Sequence, residues 1–283
     1  MNELRPYMTQ ARAPLVREVG VINEFGEQDT VSIPAERALT LYVDKRELVT
    51  LMTLGAMPEL LVLGYLRNQR LVRSVTDIES VTVDWEVNAA AVKTRNGIED
   101  IEARTSQRVV TTGCGQGSVF GGLMDELDAI QLPEQASLSQ GQLYGLLNAI
   151  RLQETTYKSA GSVHGCALFR GEEMLMFVED VGRHNAIDTI AGWMWLQGPA
   201  VQDGGDKVFY TTGRLTSEMV MKSAQMGIPI VVSRSGITQM GHELAQRLDL
   251  CAIGRAANKR FLCYSAPQRL VLQPELAGTR LRV

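Results

Sequence analysis

Between residues 163 and 264 the chain repeats one rhythm: a short β-prone run, a loop, then a helix-length amphipathic segment. The β-prone runs are Val163 to Phe169, Met174 to Glu179, Lys207 to Thr211, Ile228 to Ser233, Leu250 to Ile253 and Phe261 to Tyr264. Helical patterns fall between them at Asn185 to Trp195, Ser217 to Met226 and Thr238 to Leu248. Strands joined through single helices pair in parallel with right-handed crossovers, whereas the two runs flanking Arg170-Gly171-Glu172 read as a hairpin. The rhythm predicts α/β architecture with a mixed sheet between helices.

The first half reads differently. Residues 1–30 are polar and are predicted to form an irregular arm. Leu39 to Asp44 and Glu47 to Thr53 flank a turn at Asp44-Lys45 and predict a hairpin, and Met57 to Leu66 predicts a short helix with Pro58 in its first turn. Ile78 to Trp85 and Ala89 to Thr94 predict two more strands, and Ser139 predicts an N-cap for a helix running to about Tyr157. A chain of 283 residues can bury two cores. The pattern change therefore suggests a smaller strand-rich domain over 1–135 and the α/β domain over 136–283.

Charge narrows the ligands. Twenty-eight Lys and Arg against thirty-two Asp and Glu leave a net charge of -4, which offers no general attraction to nucleic acid or to an anionic membrane. Yet the loops after three successive strands each combine glycine with arginine: Gly182-Arg183-His184, Gly213-Arg214 and Ser233-Arg234-Ser235-Gly236. Arg255, Lys259 and Arg260 follow a fourth. Ligands of α/β sheets bind beyond the carboxyl ends of the strands, where helix N-termini present free N–H groups. Glycine admits close backbone approach, and the guanidinium fork suits phosphate. The expectation is a pocket for a multiply phosphorylated small molecule.

The four cysteines show neither a C-x-x-C pair nor zinc-ligand spacing, and no metal site is predicted. Cys166, Cys251 and Cys263 lie in apolar strand-like runs and read as small buried hydrophobes. Cys114 differs, because Gly113-Cys114-Gly115-Gln116-Gly117 removes steric cover and offers backbone N–H groups that favour the thiolate. The opening Met1 to Pro6 does not read as a secretory signal, and the longest apolar stretches are too short to span a bilayer. A cytoplasmic location is expected.

Glu179-Asp180-Val181-Gly182-Arg183-His184-Asn185-Ala186 resembles the hallmark of the FdhD family, the formate dehydrogenase accessory sulfurtransferases. Gly161-Ser162-Val163-His164, the block Thr212 to Val220 and Gly227-Ile228-Pro229-Ile230 resemble further family elements. The resemblance implies a cytidine-deaminase-like α/β domain without the deaminase zinc site. It implies a sulfur carrier that accepts persulfide sulfur on Cys114 from a cysteine desulfurase. That sulfur would pass to the bis-molybdopterin guanine dinucleotide cofactor, bound transiently, of the formate dehydrogenase catalytic subunit. Cofactor contacts are implied at Arg255, Ala256, Ala257, Asn258, Lys259 and Arg260, with Arg183, His184, Arg214 and Ser233 around the same pocket. A homodimer is implied as well.

This chain departs from the family in its loop, where Cys-Gly-x-Cys becomes Cys114-Gly115-Gln116-Gly117. A single thiol still suffices to carry a persulfide. The missing second thiol leaves open an alternative, a molybdenum-cofactor chaperone that inserts the cofactor without covalent sulfur relay.

Overall fold

The structure is a computed structural model that describes residues 5–98, 129–153 and 155–278. Cys114 lies outside the described residues. In chain order the elements begin with β1 (Tyr7–Met8), β2 (Val16–Ile22), β3 (Gln28–Pro34), β4 (Arg37–Val43), β5 (Arg46–Thr53), α1 (Pro58–Asn68), β6 (Ile78–Asp84) and β7 (Ala89–Thr94). After residue 128 come β8 (Leu138–Ser139), α2 (Gln140–Leu152), α3 (Thr156–Ala160), β9 (His164–Arg170), β10 (Glu173–Asp180), α4 (Arg183–Trp195) and α5 (Pro199–Gln202). Then follow β11 (Lys207–Thr211), α6 (Ser217–Gln225), β12 (Ile230–Ser233), α7 (Gln239–Arg247), β13 (Cys251–Ala257), β14 (Arg260–Cys263) and β15 (Leu270–Val271).

The chain divides into two compact units, and the division is not one cut near residue 135. Among the described residues, the first unit takes 5–98, 155–165 and 178–197, and the second takes 129–153, 166–177 and 198–278. Segment 178–197 belongs to the first unit because α4 packs on α1. Their backbones meet at two glycines: a Cβ at Gly64 would stand 1.6 Å from the Asp188 carbonyl oxygen, and one at Gly192 2.0 Å from that of Leu60. Asn68 Nδ2 donates to Asp188 Oδ1 at 2.7 Å beside the crossing.

The first unit holds a five-stranded sheet, order β1-β6-β7-β4-β5. The β4–β5 hairpin turns at Asp44 and Lys45, with φ of 47° and 72°, the left-handed geometry that matches the twist of paired strands. Leu39, Leu41 and Val43 alternate inward along β4 and meet Leu61, Val62 and Leu66 of α1 in one core. Each such side chain contributes roughly 1.5–3 kcal/mol when fully buried.

The irregular arm expected over 1–30 is instead largely a hairpin, β2 paired antiparallel with β3. Asn23 makes its turn: Oδ1 accepts from the N–H groups of Phe25 and Glu27, each at 3.0 Å. That side chain mimics a backbone turn, the signal that composition alone had obscured.

Six strands run in the order β10-β9-β11-β12-β13-β14; β11 to β14 lie in the second unit, which also takes β9 from Cys166 and β10 as far as Phe177. β11, β12 and β13 are mutually parallel, while β9 and β14 join them antiparallel. The expected mixed sheet is therefore present. All residues of β11 and β12 are buried, as befits strands covered on both faces. Ser139 caps α2 through a capping box with Gln142, as its sequence position suggested. The helix stops at Leu152, however, and does not reach Tyr157. Gln153 turns to extended geometry, and Thr155 starts the separate α3 by accepting from the Lys158 N–H at 3.1 Å. No helix among the described residues is long and apolar enough to cross a membrane.

Candidate functional site

In the first unit, the Glu179–Ala186 run is built around one buried carboxylate. Asp180 Oδ2 accepts from Thr53 Oγ1 at 2.5 Å and from the Leu54 N–H at 3.0 Å. Its Oδ1 accepts from the Gly182 N–H at 3.0 Å and from Asn185 Nδ2 at 2.8 Å. Asn185 Nδ2 also donates to the Met52 carbonyl at 2.7 Å. The motif thus ties the start of α4 to the end of β5. Burial pushes the Asp180 carboxyl above its ordinary value, and the four hydrogen bonds pull the other way. Arg183 and His184, in the first turn of α4, are only 4 % and 1 % exposed. At the far end of the same motif, Glu179 accepts from the backbone N–H groups of Thr156 and Tyr157.

In the second unit, parallel pairing brings the carboxyl ends of β11, β12 and β13 to one edge, and backbone bonds stitch their loops together. Ser233 Oγ donates to the Gly213 carbonyl at 2.6 Å and accepts from the Ser235 N–H at 3.0 Å. The Leu215 N–H donates to Gly236 O at 2.9 Å, and the Arg255 N–H to Ser235 O at 2.6 Å. Arg214 and Arg234 are exposed on their loops, and Arg255 is exposed near the carboxyl end of β13. Ser233 itself is buried and acts as the stitch. Beside it, Thr216 caps α6 without a side-chain cap bond, and its buried Oγ1 has no hydrogen-bond partner among the described residues.

The turn from β13 to β14 carries the rest of the expected contacts. The strand bulges between Gly254 and Ala257, with Arg255 at φ 51° and Asn258 at φ 54°. Left-handed backbone at an arginine is unusual and holds the residue in a fixed direction. Ala256 is buried beneath the bulge, while Ala257, Asn258, Lys259 and Arg260 are exposed. A cleft of about 650 Å³ opens here, lined by Arg255, Lys259, Arg260 and Phe261 on one side and by Gln140 and Tyr144 of α2 on the other. The Tyr144 hydroxyl donates to Lys259 O at 3.1 Å and accepts from Gln140 Nε2 at 2.8 Å. The Tyr144 and Phe261 rings stand 6.3 Å apart, tilted by 59°. Three cations beside two aromatic rings fit a planar base carrying phosphates.

Of the residues expected around one pocket, the structure joins Arg214 and Ser233 to Arg255 through the stitched loops, and Arg255 to Lys259 and Arg260 along the cleft. Arg183 and His184 stand in the other unit. Arg234, which the sequence placed in the same basic loop as Ser233, is exposed there. Tyr144 and Phe261 were missed as site residues; Tyr144 was not legible because its place depends on how α2 packs. Cys166 and Cys251 are buried as expected, but Cys263 is only half-buried, because β14 is the edge strand of its sheet. Among the described residues no three His, Cys, Asp or Glu side chains stand together as metal ligands.

A mixed sheet with helices between its parallel strands defines the class as α/β proteins, here with basic loops at the parallel strand ends. Residues 34–271 match the FdhD/NarQ family, and the chain belongs to that family. It is 29% identical over 253 residues to the sulfur carrier protein FdhD of Bacillus subtilis, a match covering 89% of this chain and 94% of the relative. It is 30% identical over 245 residues to the sulfur carrier protein FdhD of Listeria monocytogenes serotype 4b, covering 84% and 91%. The fold resembles the crystal structure of a putative formate dehydrogenase accessory protein from Desulfotalea psychrophila, with a TM-score of 0.72 at 23% identity, covering 91% of this chain and all of that one.

Proposed function

We propose that this chain is a cytoplasmic sulfur carrier that serves a formate dehydrogenase. Cys114, as thiolate, attacks the outer sulfur of a cysteine desulfurase persulfide and takes it as its own persulfide, releasing the desulfurase thiolate. The outer sulfur then passes to the bis-molybdopterin guanine dinucleotide, which is cargo here and not a resident cofactor; its bond to Cys114 Sγ breaks as the cofactor takes it, and Cys114 leaves as thiolate. Family membership supports the sulfur chemistry, and the cleft supports the cargo. Its cations Arg255, Lys259 and Arg260 suit the guanylate phosphates, and Phe261 with Tyr144 suits the base. The sheet of the second unit is read as the family's cytidine-deaminase-like domain, and the protein as a homodimer.

The observation that carries the reading is this basic and aromatic cleft in a chain of net charge -4. Incubation with a desulfurase and cysteine, followed by intact mass, should add sulfur to the wild type and none to Cys114→Ala. Both proteins should bind guanosine diphosphate alike. A Cys114→Ala protein that still activates formate dehydrogenase fully would exclude the relay.

One feature favours a second reading. Gly117 stands where the family's loop has its second cysteine. A chaperone that holds and inserts the cofactor needs neither thiol, and repeated absence of the sulfur adduct would select it.

A further inference from the structure

Cys251 on β13 and Cys263 on β14 bring their sulfurs to 3.9 Å of each other. The approach is set by the strands. Ile253 pairs with Cys263, and the Tyr264 N–H donates to Ala252 O at 2.8 Å. Ser265 Oγ donates to Leu250 O at 2.6 Å and accepts from the Ala252 N–H at 3.2 Å, so the chain just past β14 is anchored beside Cys251, diagonally across from Cys263. The two sulfurs are also unequal. Cys251 is fully buried, next to Asp249 and the buried Arg269 that binds it at 2.8 Å. Cys263 is half-buried on the edge strand, and its thiol also reaches Ser265 O at 3.3 Å.

We infer that Cys251 and Cys263 form a dithiol that closes reversibly to an intrachain disulfide by exchange with a small-molecule disulfide. Cys263 is the attacking sulfur and Cys251 the resolving one. Cys263 thiolate attacks one sulfur of the small disulfide and expels the other half as a thiolate, which takes up the proton that Cys263 released. The Cys251 sulfur then attacks Cys263 Sγ in the mixed disulfide. It expels the second small thiolate, which takes the Cys251 proton. Two protein thiols are oxidised, and one small disulfide is reduced to two thiols.

The inequality of the pair supports these roles. The contact with Cys251 holds the Cys263 thiol down to about 7, against the opposing effect of burial. The same interaction, with burial, pushes Cys251 up, so Cys251 stays protonated and is not the first sulfur to attack; the contact with Cys263 that helps raise it ends once Cys263 is bound in the mixed disulfide. The bond would cinch the hairpin whose turn presents Arg255, Lys259, Arg260 and Phe261. It stands independently of sulfur delivery by Cys114.

The test treats the native wild-type protein with oxidised glutathione, unfolds it in N-ethylmaleimide and maps the peptides. The map separates Cys251 and Cys263 from Cys114 and Cys166. The expected result is loss of two alkylatable thiols, a linked peptide joining Cys251 to Cys263, and recovery of both thiols with dithiothreitol. Cys251→Ser should halt at a glutathione adduct on Cys263. Should that variant fail to fold, the wild-type map still decides. Retention of both alkylatable thiols in the wild type, or a lasting glutathione adduct on Cys263 without the linked peptide, overturns the inference.

Discussion

Thr53 Oγ1 donates to Asp180 Oδ2 at 2.5 Å, joining positions 127 apart in the chain. With Leu54, Gly182 and Asn185 it encloses a carboxylate whose four partners are all donors.

Burial raises the Asp180 pKa above 3.8, so the folded chain keeps this proton to higher pH than the unfolded chain does. Between those two values the folded state binds more protons, and stability falls as pH rises through that window. Asp180→Asn removes this slope. It also turns an amide donor against existing donors, at a cost of about 1–3 kcal/mol. Urea midpoints across a pH series check both effects, and parallel curves for the two proteins would refute the assignment.

The α1–α4 crossing leaves no room for a methyl group. Gly64→Ala should part the two backbones, because its Cβ would fall 1.6 Å from Asp188 O. Overpacking at a backbone contact costs about 3 kcal/mol or more. A chemical denaturation midpoint within error of wild type would contradict the close approach.

Ser139→Ala removes the capping box at α2, whose Ser139 Oγ accepts from the Gln142 N–H at 3.1 Å. The expected loss is about 1 kcal/mol, read as a lower melting temperature. Ser139→Asp should recover most of it.

Arg260→Glu replaces one cation of the cleft with an anion. Guanosine diphosphate should bind roughly tenfold more weakly, equivalent to about 1.4 kcal/mol, with a shallower salt dependence. Calorimetric titration at two ionic strengths measures both. Unchanged affinity would move the nucleotide elsewhere.

Sequence patterns located the second unit well because its strands advertise themselves. Lys207–Thr211 reads as one run since every residue is buried on a parallel strand, and Ser139 announces a helix start through its own cap. Less was legible where geometry depends on distant partners. The β2–β3 hairpin exposes most of its side chains, so it lacks an apolar alternation to read. Gly64 and Gly192 were in plain view, but nothing local says that their helices meet. The cleft was half legible: Arg255, Lys259 and Arg260 by charge, Phe261 and Tyr144 only after folding. Cys251 and Cys263 looked like separate core residues, because their approach depends on the β13–β14 pairing across a bulge.

The interleaved division has a practical consequence for anyone wishing to handle the protein in pieces. A fragment ending near residue 135 would keep α1 while discarding the helix that covers Gly64. Its Leu60 to Leu66 segment would then be left bare on that side and prone to clump. The chain must be produced intact, and a shorter version of the first unit would need residues 178–197 spliced back onto it.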